Sequence, residues 1–518
     1  MLIEIIAMAI VFIYSVASLF IFSYSIMQMN LVIVYLKNKL KDGKAYTGKQ
    51  LKAGSEPLVT VQLPIYNEIY VAERLLDCIT TLEYPVDKLE IQVLDDSDDE
   101  TAELIATKVS EYRKKGFNIN HVLRHNREGF KAGALAYGLK GAMGEFIAIF
   151  DSDFLPQKDF LKKTIPVFDD DKIGMVQTRW DHLNKNYSLL TRLQAFGLDA
   201  HFSIEQKGRN AGNHFINFNG TAGVWRRKCI ETSNGWQADT LTEDLDLSYR
   251  AQLKGWKFIY LEEVNSPAEL PVTMNALKNQ QYRWNKGAAE CVKKILGLVL
   301  KDKKISVSTK LHSIFHLMNS SVFIAILISA FLSIPMLLIK NEFLQFHFLF
   351  FLASFILLSF LMLSVFYFVA TTQKEKKIHI NVGRFLLIFP LFLSVSMGMA
   401  LHNAVAVIEG YLGKKTSFIR TPKFNLSSAH QSWKHNKYLS SGINMITILE
   451  GVLTFYFASG ILIAFYLHDF GLVPFHAMLT FGFGFVFYTS LSHSFLFASP
   501  NQKTPHAEGI VKRIITTS

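Results

Sequence analysis

The chain has 518 residues, half of them hydrophobic, with 43 Phe, three Cys and a formal net charge of +11. Three cysteines far apart in sequence exclude a disulfide framework and provide no metal-binding spacing. The positive charge lies mainly in short segments beside apolar runs, which is typical of cytosolic loops of membrane proteins rather than of nucleic-acid binding. We therefore expect membrane lipids, and no nucleic acid, among the partners.

The N-terminal segment is predicted to be a membrane helix. Residues 1–36 are apolar over more than the roughly 20 residues that cross a bilayer, and no small-residue cleavage site follows them. Six Lys and one Asp follow between Leu36 and Ala53. This basic segment indicates that the chain emerges on the cytosolic side.

Residues 37–287 are predicted to form a cytosolic α/β domain in which strands alternate with helices. The predicted strands are 58–63, 89–94, 118–123 and 145–150, and the predicted helices lie near 69–82, before 116 and at 131–141. That order is typical of a parallel, Rossmann-like sheet covered by helices on both faces. Ligands bind such sheets beyond the carboxyl ends of the strands, where this sequence has its acidic clusters.

The rest of the chain is predicted to associate with the membrane. Residues 288–310, with Lys293 and Lys294, are typical of an interfacial helix. The region 311–497 contains four predicted spans, at Leu311–Ile339, Phe346–Ala370, Ile443–Leu467 and Leu472–Phe495. The loop 411–442, with six basic residues and no acid, and the tail 498–518 are expected in the cytosol.

One apolar run, Phe385–Leu412, has two possible paths. It lies between basic segments that both favour the cytosol, and a single crossing cannot satisfy both. Pro390 and Gly398 allow a re-entrant or interfacial path as the alternative to a simple crossing, provided that protein or water surrounds the irregular backbone.

Acidic residues follow two of the predicted strands. Carboxylates spaced as in Asp151-Ser-Asp153 can hold Mg²⁺ or Mn²⁺ against a diphosphate, where the ion neutralises charge on the leaving group. The alternative is a solvated, acid-rich turn. Asp96, after the second strand, can accept hydrogen bonds from a ribose or a base. The alternative for this stretch is helix capping by Ser97, with Asp98, Asp99 and Glu100 at the positive end of the helix, and both can hold at once.

Two motifs further along the chain carry candidate catalytic groups. Asp244, in Thr242-Glu-Asp244, begins a predicted helix and is placed to act as a general base, although Thr followed by acids is also ordinary helix-capping chemistry. In Gln280-Gln-Tyr-Arg283-Trp284, Arg283 suits a diphosphate and Trp284 suits a sugar ring. The alternative for this motif is an anchor at the membrane interface.

Taken in this order, the motifs resemble glycosyltransferase family 2. The chain is most similar to the cellulose-synthase-like A group of glucomannan and mannan synthases and, more distantly, to cellulose synthase catalytic subunits. The matching stretches lie within Pro57–Lys310 and are Gln92–Ser97, Gly129–Leu135, Ile149–Phe154, Phe218–Trp225, Leu253–Phe258 and Gln280–Trp284. The resemblance implies a GT-A-type catalytic domain in a multi-pass integral protein of the plasma or inner membrane.

The resemblance also implies roles for individual residues. The expected catalytic base is Asp244. The expected nucleotide-sugar ligands are Tyr66, Glu68, Asp96, Lys131, Asp151 and Arg283. The expected ligands of Mg²⁺ or Mn²⁺ are Asp151 and Asp153. The expected acceptor site contains Trp180, Asn219, Gly220, Thr221, Gln280 and Trp284. The stretch Phe418–Lys423 is similar to the gating loop of cellulose synthases through Phe418, Thr421 and Lys423, whereas Arg420 and Pro422 depart from some versions of that motif.

These features predict an inverting hexosyltransferase that uses a nucleotide-sugar, GDP-mannose or UDP-glucose, and a glycan or lipid acceptor. The expected product is a β-linked polysaccharide of the mannan or glucan type. One alternative is an enzyme that adds a single sugar to a lipid, as ceramide glucosyltransferase does, because that group shares the Gln-x-x-Arg-Trp pattern. A transporter is disfavoured, since the apolar runs carry few acids beyond Glu409 and Glu450.

Overall fold

The computed structural model describes residues 1–42, 54–124, 126–343, 350, 355–374, 378–426, 432–434, 436–439 and 442–495. The predicted cytosolic tail 498–518 and most of the basic segment that follows the first membrane helix lie outside the described residues. Within the described part, an α/β domain is joined to a set of long apolar helices.

The α/β domain is built on a seven-stranded sheet with the order β3-β2-β1-β4-β6-β5-β7. The strands are β1 Val59–Ile65, β2 Leu89–Asp95, β3 Asn118–Leu123, β4 Phe146–Ile149, β5 Ile173–His182, β6 Gly223–Arg226 and β7 Lys257–Ala268. The first four agree with the predicted strands to within two residues, and they pair in parallel as expected.

The predicted parallel sheet is in fact mixed, because β6 runs antiparallel to both β4 and β5. Its four residues are too few to display an alternating pattern, so the sequence carried no signal for it. Since β5 and β7 pair in parallel, every strand except β6 ends at the same edge of the sheet. The strand β6 begins at that edge, and the residues just before it, Asn219–Ala222, lie among the strand ends.

Apolar side chains pack on both faces of this sheet. In β4, Phe146 and Ala148 belong to one buried cluster, whereas Ile147 and Ile149 belong to a second cluster together with Trp225. Successive side chains of a strand point to opposite faces, so the two clusters are the two sides of a three-layer α/β/α core. This core fixes the strand ends on which the functional side chains lie.

Eight helices accompany the sheet: α2 Ala72–Ile79, α3 Thr101–Lys114, α4 Phe130–Gly141, α5 Phe160–Thr164, α6 Leu189–Ala200, α7 Gln206–Ala211, α8 Arg227–Thr232 and α9 Glu243–Leu253. Short 3₁₀ turns occur at Val86–Lys88 and Ile165–Val167. Between α6 and α7 the chain forms a π-helical turn, His201–Glu205. Such turns are rare and often lie near functional sites.

The apolar helices are α1 Leu2–Asp42, α12 Val322–Glu342, α13 Phe355–Lys374, α14 Ile378–Gly398, α15 Ala400–Leu412, α16 Met445–Tyr466 and α17 Val473–Phe495. Of the helices described, four are long and apolar enough to cross a membrane, within Leu2–Leu40, Asn319–Glu342, Ile356–Gln373 and Met445–Tyr466. These helices fit a membrane protein. The predicted last span forms the helix α17, which does not belong to this group of four.

Two predicted boundaries differ in the structure. The expected interfacial segment 288–310 is mostly the second half of a longer helix, α10 Met274–Lys301, which also carries the Gln280–Trp284 motif. The predicted span from residue 311 is broken into α11 Val307–Leu317 and α12, because His312, Ser313 and His316 of α11 are buried polar residues. The Tyr249 hydroxyl of the α/β domain contacts His316 Nδ1 at 2.9 Å, so α11 packs on that domain.

A buried ion pair ties the α/β domain to the apolar helices. Lys278 of α10 lies 2.6 Å from Glu450 of α16, and both side chains are almost completely buried. The backbone carbonyl of Lys278 also contacts His402 of α15. The helix α10 is therefore fixed to two apolar helices within one turn of the Gln280–Trp284 motif.

The run with two possible paths forms α14 and α15, which are bent by 48° relative to each other. Phe392 of α14 packs against Phe196 of α6, with ring centroids 5.2 Å apart. Glu409 of α15 accepts a hydrogen bond from Tyr282 of α10. Both halves of this run thus contact elements that belong to or continue from the α/β domain, and the bend fits a broken span as well as a re-entrant path.

Candidate active site

A cleft opens at the edge of the sheet where the parallel strands end. All of the site residues predicted from the sequence line this cleft except Thr221. The cleft contains roughly 1310 Å³ of empty space, its open mouth included.

The two carboxylates after β4 face ammonium groups. Lys131 Nζ lies 2.5 Å from Asp151 Oδ1, and Lys423 Nζ lies 2.8 Å from Asp153 Oδ2. Thr221 is buried behind them and its Oγ1 accepts a hydrogen bond from the Asp151 backbone N–H at 2.8 Å. Thr221 therefore supports the backbone of Asp151 and, unlike the other predicted acceptor residues, does not line the cleft.

The residues of this pair fit a divalent cation. Asp153 Oδ1 is buried and has no hydrogen-bond partner in the described part of the chain, so one hard oxygen ligand is available. The described residues contain no group of three or more His, Cys, Asp or Glu that would hold a metal alone. A diphosphate and water would therefore have to complete the coordination, which is the usual mode for Mg²⁺.

Asp244 lies in the first turn of α9 and faces the same cleft. Its Oδ1 accepts a hydrogen bond from the backbone N–H of Leu245 at 2.8 Å. Thr242 is the N-cap residue of α9, but its side chain makes no capping bond, so the ordinary capping interpretation is only partly met. Burial, followed by the negative charge of Glu243, raises the pKa of Asp244 to about 7, which suits a general base near neutral pH.

Lys131 connects the metal-binding pair to the candidate base. Gly129, with φ of +69°, precedes α4, and Lys131 in the first turn of that helix donates a hydrogen bond to the Gly220 carbonyl at 2.9 Å. Burial opposes its charge, but the carboxylates of Asp151, Glu243 and Asp244 raise the pKa of Lys131. A lysine held in this way stays protonated and can bind a diphosphate.

Gly220 allows the close approach of these groups. Its φ is +81°, and a Cβ atom there would lie 3.2 Å from Asp244 Oδ2 and 3.5 Å from Lys131 Nζ. A side chain would therefore both strain the backbone and crowd the candidate base.

The part of the cleft in which the nucleoside is expected contains more charged side chains than the sequence analysis predicted. Arg124 makes two hydrogen bonds to the Asp96 carboxylate, and Arg420 lies 2.8 Å from Glu68. The guanidinium of Arg127 stacks on the ring of Tyr66, 3.3 Å from its centroid. Burial raises the pKa of Glu68 to about 7, although Arg420 opposes this shift.

The expected acceptor side is formed by aromatic rings. Trp180 of β5 and Trp284 of α10 have ring centroids 6.5 Å apart. Gln280, Arg283 and Trp284 share one face of α10, because residues three and four apart are neighbours on a helix. Trp180 Nε1 is buried and has no hydrogen-bond partner among the residues described, so a donor is available beside the rings.

The stretch Phe418–Lys423 covers the cleft. Phe418 stacks on Phe130 with centroids 5.6 Å apart, and the guanidinium of Arg283 lies 4.7 Å from the centre of the Phe418 ring. Arg283 also donates a hydrogen bond to Thr421 Oγ1 at 3.0 Å. Burial lowers the pKa of Arg283 to about 10, a value at which it remains a cation at neutral pH. The described part of the loop 411–442 therefore lies on the same side as the α/β domain.

Sequence reasoning missed several residues that line this cleft, among them Glu243, Glu269, Arg127 and Arg420. It also missed Arg124, which binds the cleft residue Asp96. Glu269 directly follows β7 and accepts hydrogen bonds at 2.8 Å from the backbone N–H groups of Phe424 and Asn425. Burial and the nearby Asp153 raise its pKa to about 7. An acid after a strand was the signal that identified Asp96 and Asp151, and the same signal was present here once β7 was recognised.

Comparison with known proteins gives a family for the α/β domain. Residues 57–287 match the family described as glycosyltransferase-like family 2. The chain is 42% identical over 280 residues to the probable glucomannan 4-beta-mannosyltransferase 4 of Oryza sativa subsp. japonica, over 53% of this chain and 51% of that protein. It is 38% identical over 306 residues to glucomannan 4-beta-mannosyltransferase 7 of Arabidopsis thaliana, over 57% of this chain and 55% of that protein.

The chain thus spans about half the length of these curated relatives. Among solved structures, it is similar in fold to the mannosyltransferase PcManGT from Pyrobaculum calidifontis in complex with GDP-Man and Mn²⁺, with a TM-score of 0.51 and 17% identity, over 78% of this chain and 100% of that one. The predicted GT-A-type fold and the predicted family resemblance are both confirmed. The α/β domain is therefore similar, over residues 57–287, to the proteins of glycosyltransferase-like family 2.

Proposed function

We propose that this protein is an inverting mannosyltransferase that extends a β-linked glycan from a nucleotide-sugar donor, with GDP-mannose as the first candidate. The observation that carries the proposal is a cleft in which the half-buried Asp244 lies with the cations of Lys131 and Arg283 and the carboxylates of Asp151 and Asp153. The similarity to the plant mannosyltransferases supports mannose as the transferred sugar.

Asp244 is proposed to accept the proton of the attacking hydroxyl. Its raised pKa lets it bind this proton as the glycosidic bond forms, and the carboxylate must be ionised beforehand. One displacement on an α-linked donor inverts the anomeric carbon and yields a β-linkage. Lys131 and Arg283 stabilise the negative charge that develops on the departing nucleoside diphosphate, because they are fixed before the reaction begins.

Asp151 and Asp153 are proposed to hold a divalent cation, Mg²⁺ or Mn²⁺. When bound, such an ion would neutralise the diphosphate and so make it a better leaving group. The ammonium groups of Lys131 and Lys423 now neutralise these carboxylates, so the same charges must rearrange when donor and cation enter together. The Mn²⁺ in the structure of PcManGT supports this proposal.

The α/β domain is proposed to lie on the cytosolic side, where nucleotide-sugars are present. The basic residues that follow α1 and those of the loop 411–442 support this orientation. The domain organisation follows from it: α1 crosses the membrane, α10 and α11 lie at its surface, and the apolar helices from α12 onward contain the further spans.

The test is a donor screen on the full chain in detergent or vesicles with Mg²⁺ or Mn²⁺. The expected result is nucleotide release with GDP-mannose and a product of more than a few sugars that endo-β-mannanase degrades. A product consisting of one sugar on a lipid would replace the polymer proposal with the glycolipid alternative. Absence of nucleotide release with every donor would refute a glycosyltransferase activity.

A further inference from the structure

A chain of polar side chains runs from the first apolar helix to the cleft. Gln28 of α1 donates a hydrogen bond to Glu205 Oε1 at 2.8 Å, and Glu205 Oε2 lies 2.8 Å from His201 Nδ1. His201 Nε2 in turn lies 3.1 Å from Asn219 Nδ2. Of these four residues, only Asn219 lines the cleft.

The ionised carboxylate of Glu205 fixes the tautomer of His201. The positive charge of Arg209 and hydrogen bonds from His201 and Gln28 outweigh burial and lower the pKa of Glu205 to about 2. An ionised carboxylate only accepts hydrogen bonds, so His201 Nδ1 must carry the proton that it donates to Glu205. In a neutral ring, Nε2 is then an acceptor, and it receives one hydrogen from the Asn219 amide.

A second side chain fixes the other end of the same amide. Gln206 Nε2 donates to Asn219 Oδ1 at 2.5 Å, and the backbone N–H of Asn219 donates to Gln177 Oε1 at 3.0 Å. With its oxygen and one Nδ2 hydrogen engaged, the amide of Asn219 cannot turn over. Its second Nδ2 hydrogen has no protein acceptor within the described ranges, and Asn219 lines the cleft, so this hydrogen is available to a ligand there.

The residues around Asn219 indicate a function for this Nδ2 hydrogen. Asn219 precedes Gly220, whose carbonyl accepts a hydrogen bond from Lys131 and on which a Cβ atom would lie 3.2 Å from Asp244 Oδ2. The π-helical turn that supplies His201 and Glu205 places both side chains on one face, toward Asn219. A hydrogen-bond donor of fixed direction therefore lines the same cleft as the candidate base, one residue from Gly220.

We propose that His201 is a positioning residue that, supported by Glu205, orients the Asn219 amide so that this amide donates a hydrogen bond to a sugar hydroxyl beside Asp244. The inference rests on the proposed transferase function. His201 does not line the cleft, so its effect on sugar transfer acts only through Asn219. Binding of the nucleotide alone does not require this donor.

The decisive experiment is a double-mutant cycle on the full chain, with kcat and KM measured for mannosyl transfer from GDP-mannose. We expect His201→Ala to lower kcat/KM about 10-fold in the wild-type background, the usual effect of losing one positioned neutral hydrogen bond. In the Asn219→Ala background the same change should alter kcat/KM less than 2-fold, because its target is gone. Equal effects in both backgrounds would overturn the proposal.

A matched pair of conservative variants separates positioning from general destabilisation. In His201→Gln the amide oxygen can reach the place of Nε2 and accept from Asn219, so most activity should return. In His201→Asn the shorter side chain can still donate to Glu205 but cannot reach Asn219, so activity should fall as it does for alanine. Identical losses in both variants would contradict the proposed role.

Two controls complete the design. His214, another partly buried histidine, contacts Thr309 and does not line the cleft, so His214→Gln should leave kcat/KM near the wild-type value. GDP affinity of the His201 variants should stay within about 2-fold of wild type. A wild-type chain that transfers no sugar from any donor would refute both the proposed function and this inference. An active wild-type enzyme, with additive effects of the His201 and Asn219 mutations on kcat/KM, would refute the inference alone.

Discussion

The sharpest consequence of the cleft geometry concerns Asp244→Asn. Asparagine has the same shape and keeps an oxygen for the backbone N–H of Leu245, so α9 should remain intact. It cannot accept a proton from an acceptor hydroxyl. Loss of a general base typically costs a factor of about 10² to 10⁴, which corresponds to about 3–5 kcal/mol of transition-state stabilisation. The expected result is a kcat reduced by this factor with nearly unchanged donor binding.

The pH dependence of kcat/KM is an independent test of Asp244 as the general base. Because burial raises the pKa of Asp244 to about 7, the base is protonated and inactive below that pH. The kcat/KM of the wild type should therefore rise with pH between about 6 and 8. The Asp244→Asn variant should lose this contribution, whereas Glu68→Gln should retain it even if it binds the donor more weakly.

The assay is mannosyl transfer from GDP-mannose, followed as released GDP, together with a direct measurement of donor binding. Asp239→Asn is the matched control, because this exposed aspartate pairs with Lys294 and does not line the cleft. It should retain the wild-type rate. Near-normal turnover of Asp244→Asn would refute the base assignment, and so would a loss of donor affinity as large as the loss of kcat.

Three further predictions follow from the same geometry. Gly220→Ala should lower kcat at least 10-fold, because its Cβ would crowd Asp244. Gly235→Ala, which is also at positive φ but has nothing within 4 Å of its Cβ, should leave kcat unchanged. Equal losses of kcat in the two variants would contradict the steric argument. Excess chelator should abolish transfer and added Mg²⁺ or Mn²⁺ should restore it; full activity in chelator would exclude the cation. Cysteines introduced at Asn38 and at the exposed Ser417 should label from the same, cytosolic side, and opposite accessibility would exclude the proposed orientation.

The sequence was most informative where function is encoded by residues next to each other in the chain. Strand-end acids such as Asp96 and Asp151 could be located because each follows a short apolar run, and parallel strands bring their ends to one edge. The first four strands were found for the same reason. Asp244 and the Gln280–Trp284 motif were identified through their resemblance to known enzymes, and the structure brings them to the same cleft.

Contacts between distant segments could not be predicted in this way. The pairing of Asp153 with Lys423 joins residues 270 positions apart, and no local pattern signals it. The same holds for Arg124 with Asp96 and for Arg420 with Glu68. The π-helical turn and the short strand β6 were also missed, because neither has a distinctive period over so few residues. Thr221 was assigned to the acceptor by analogy, whereas its hydroxyl is committed to the backbone of Asp151.

The ion pair between Lys278 and Glu450 has a consequence for how this molecule can be divided. A fragment that ends after residue 287 would lose Glu450 together with the helices that cover Lys278, whereas Glu450→Ala in the full chain would leave a buried ammonium without its counterion. Breaking a buried pair in this way typically costs about 3–5 kcal/mol, a large share of the roughly 5–15 kcal/mol by which whole domains are stable. The ion pair therefore couples α16 to α10, and solubilising conditions that loosen α16 should first affect α10, the helix that carries Arg283 and Trp284.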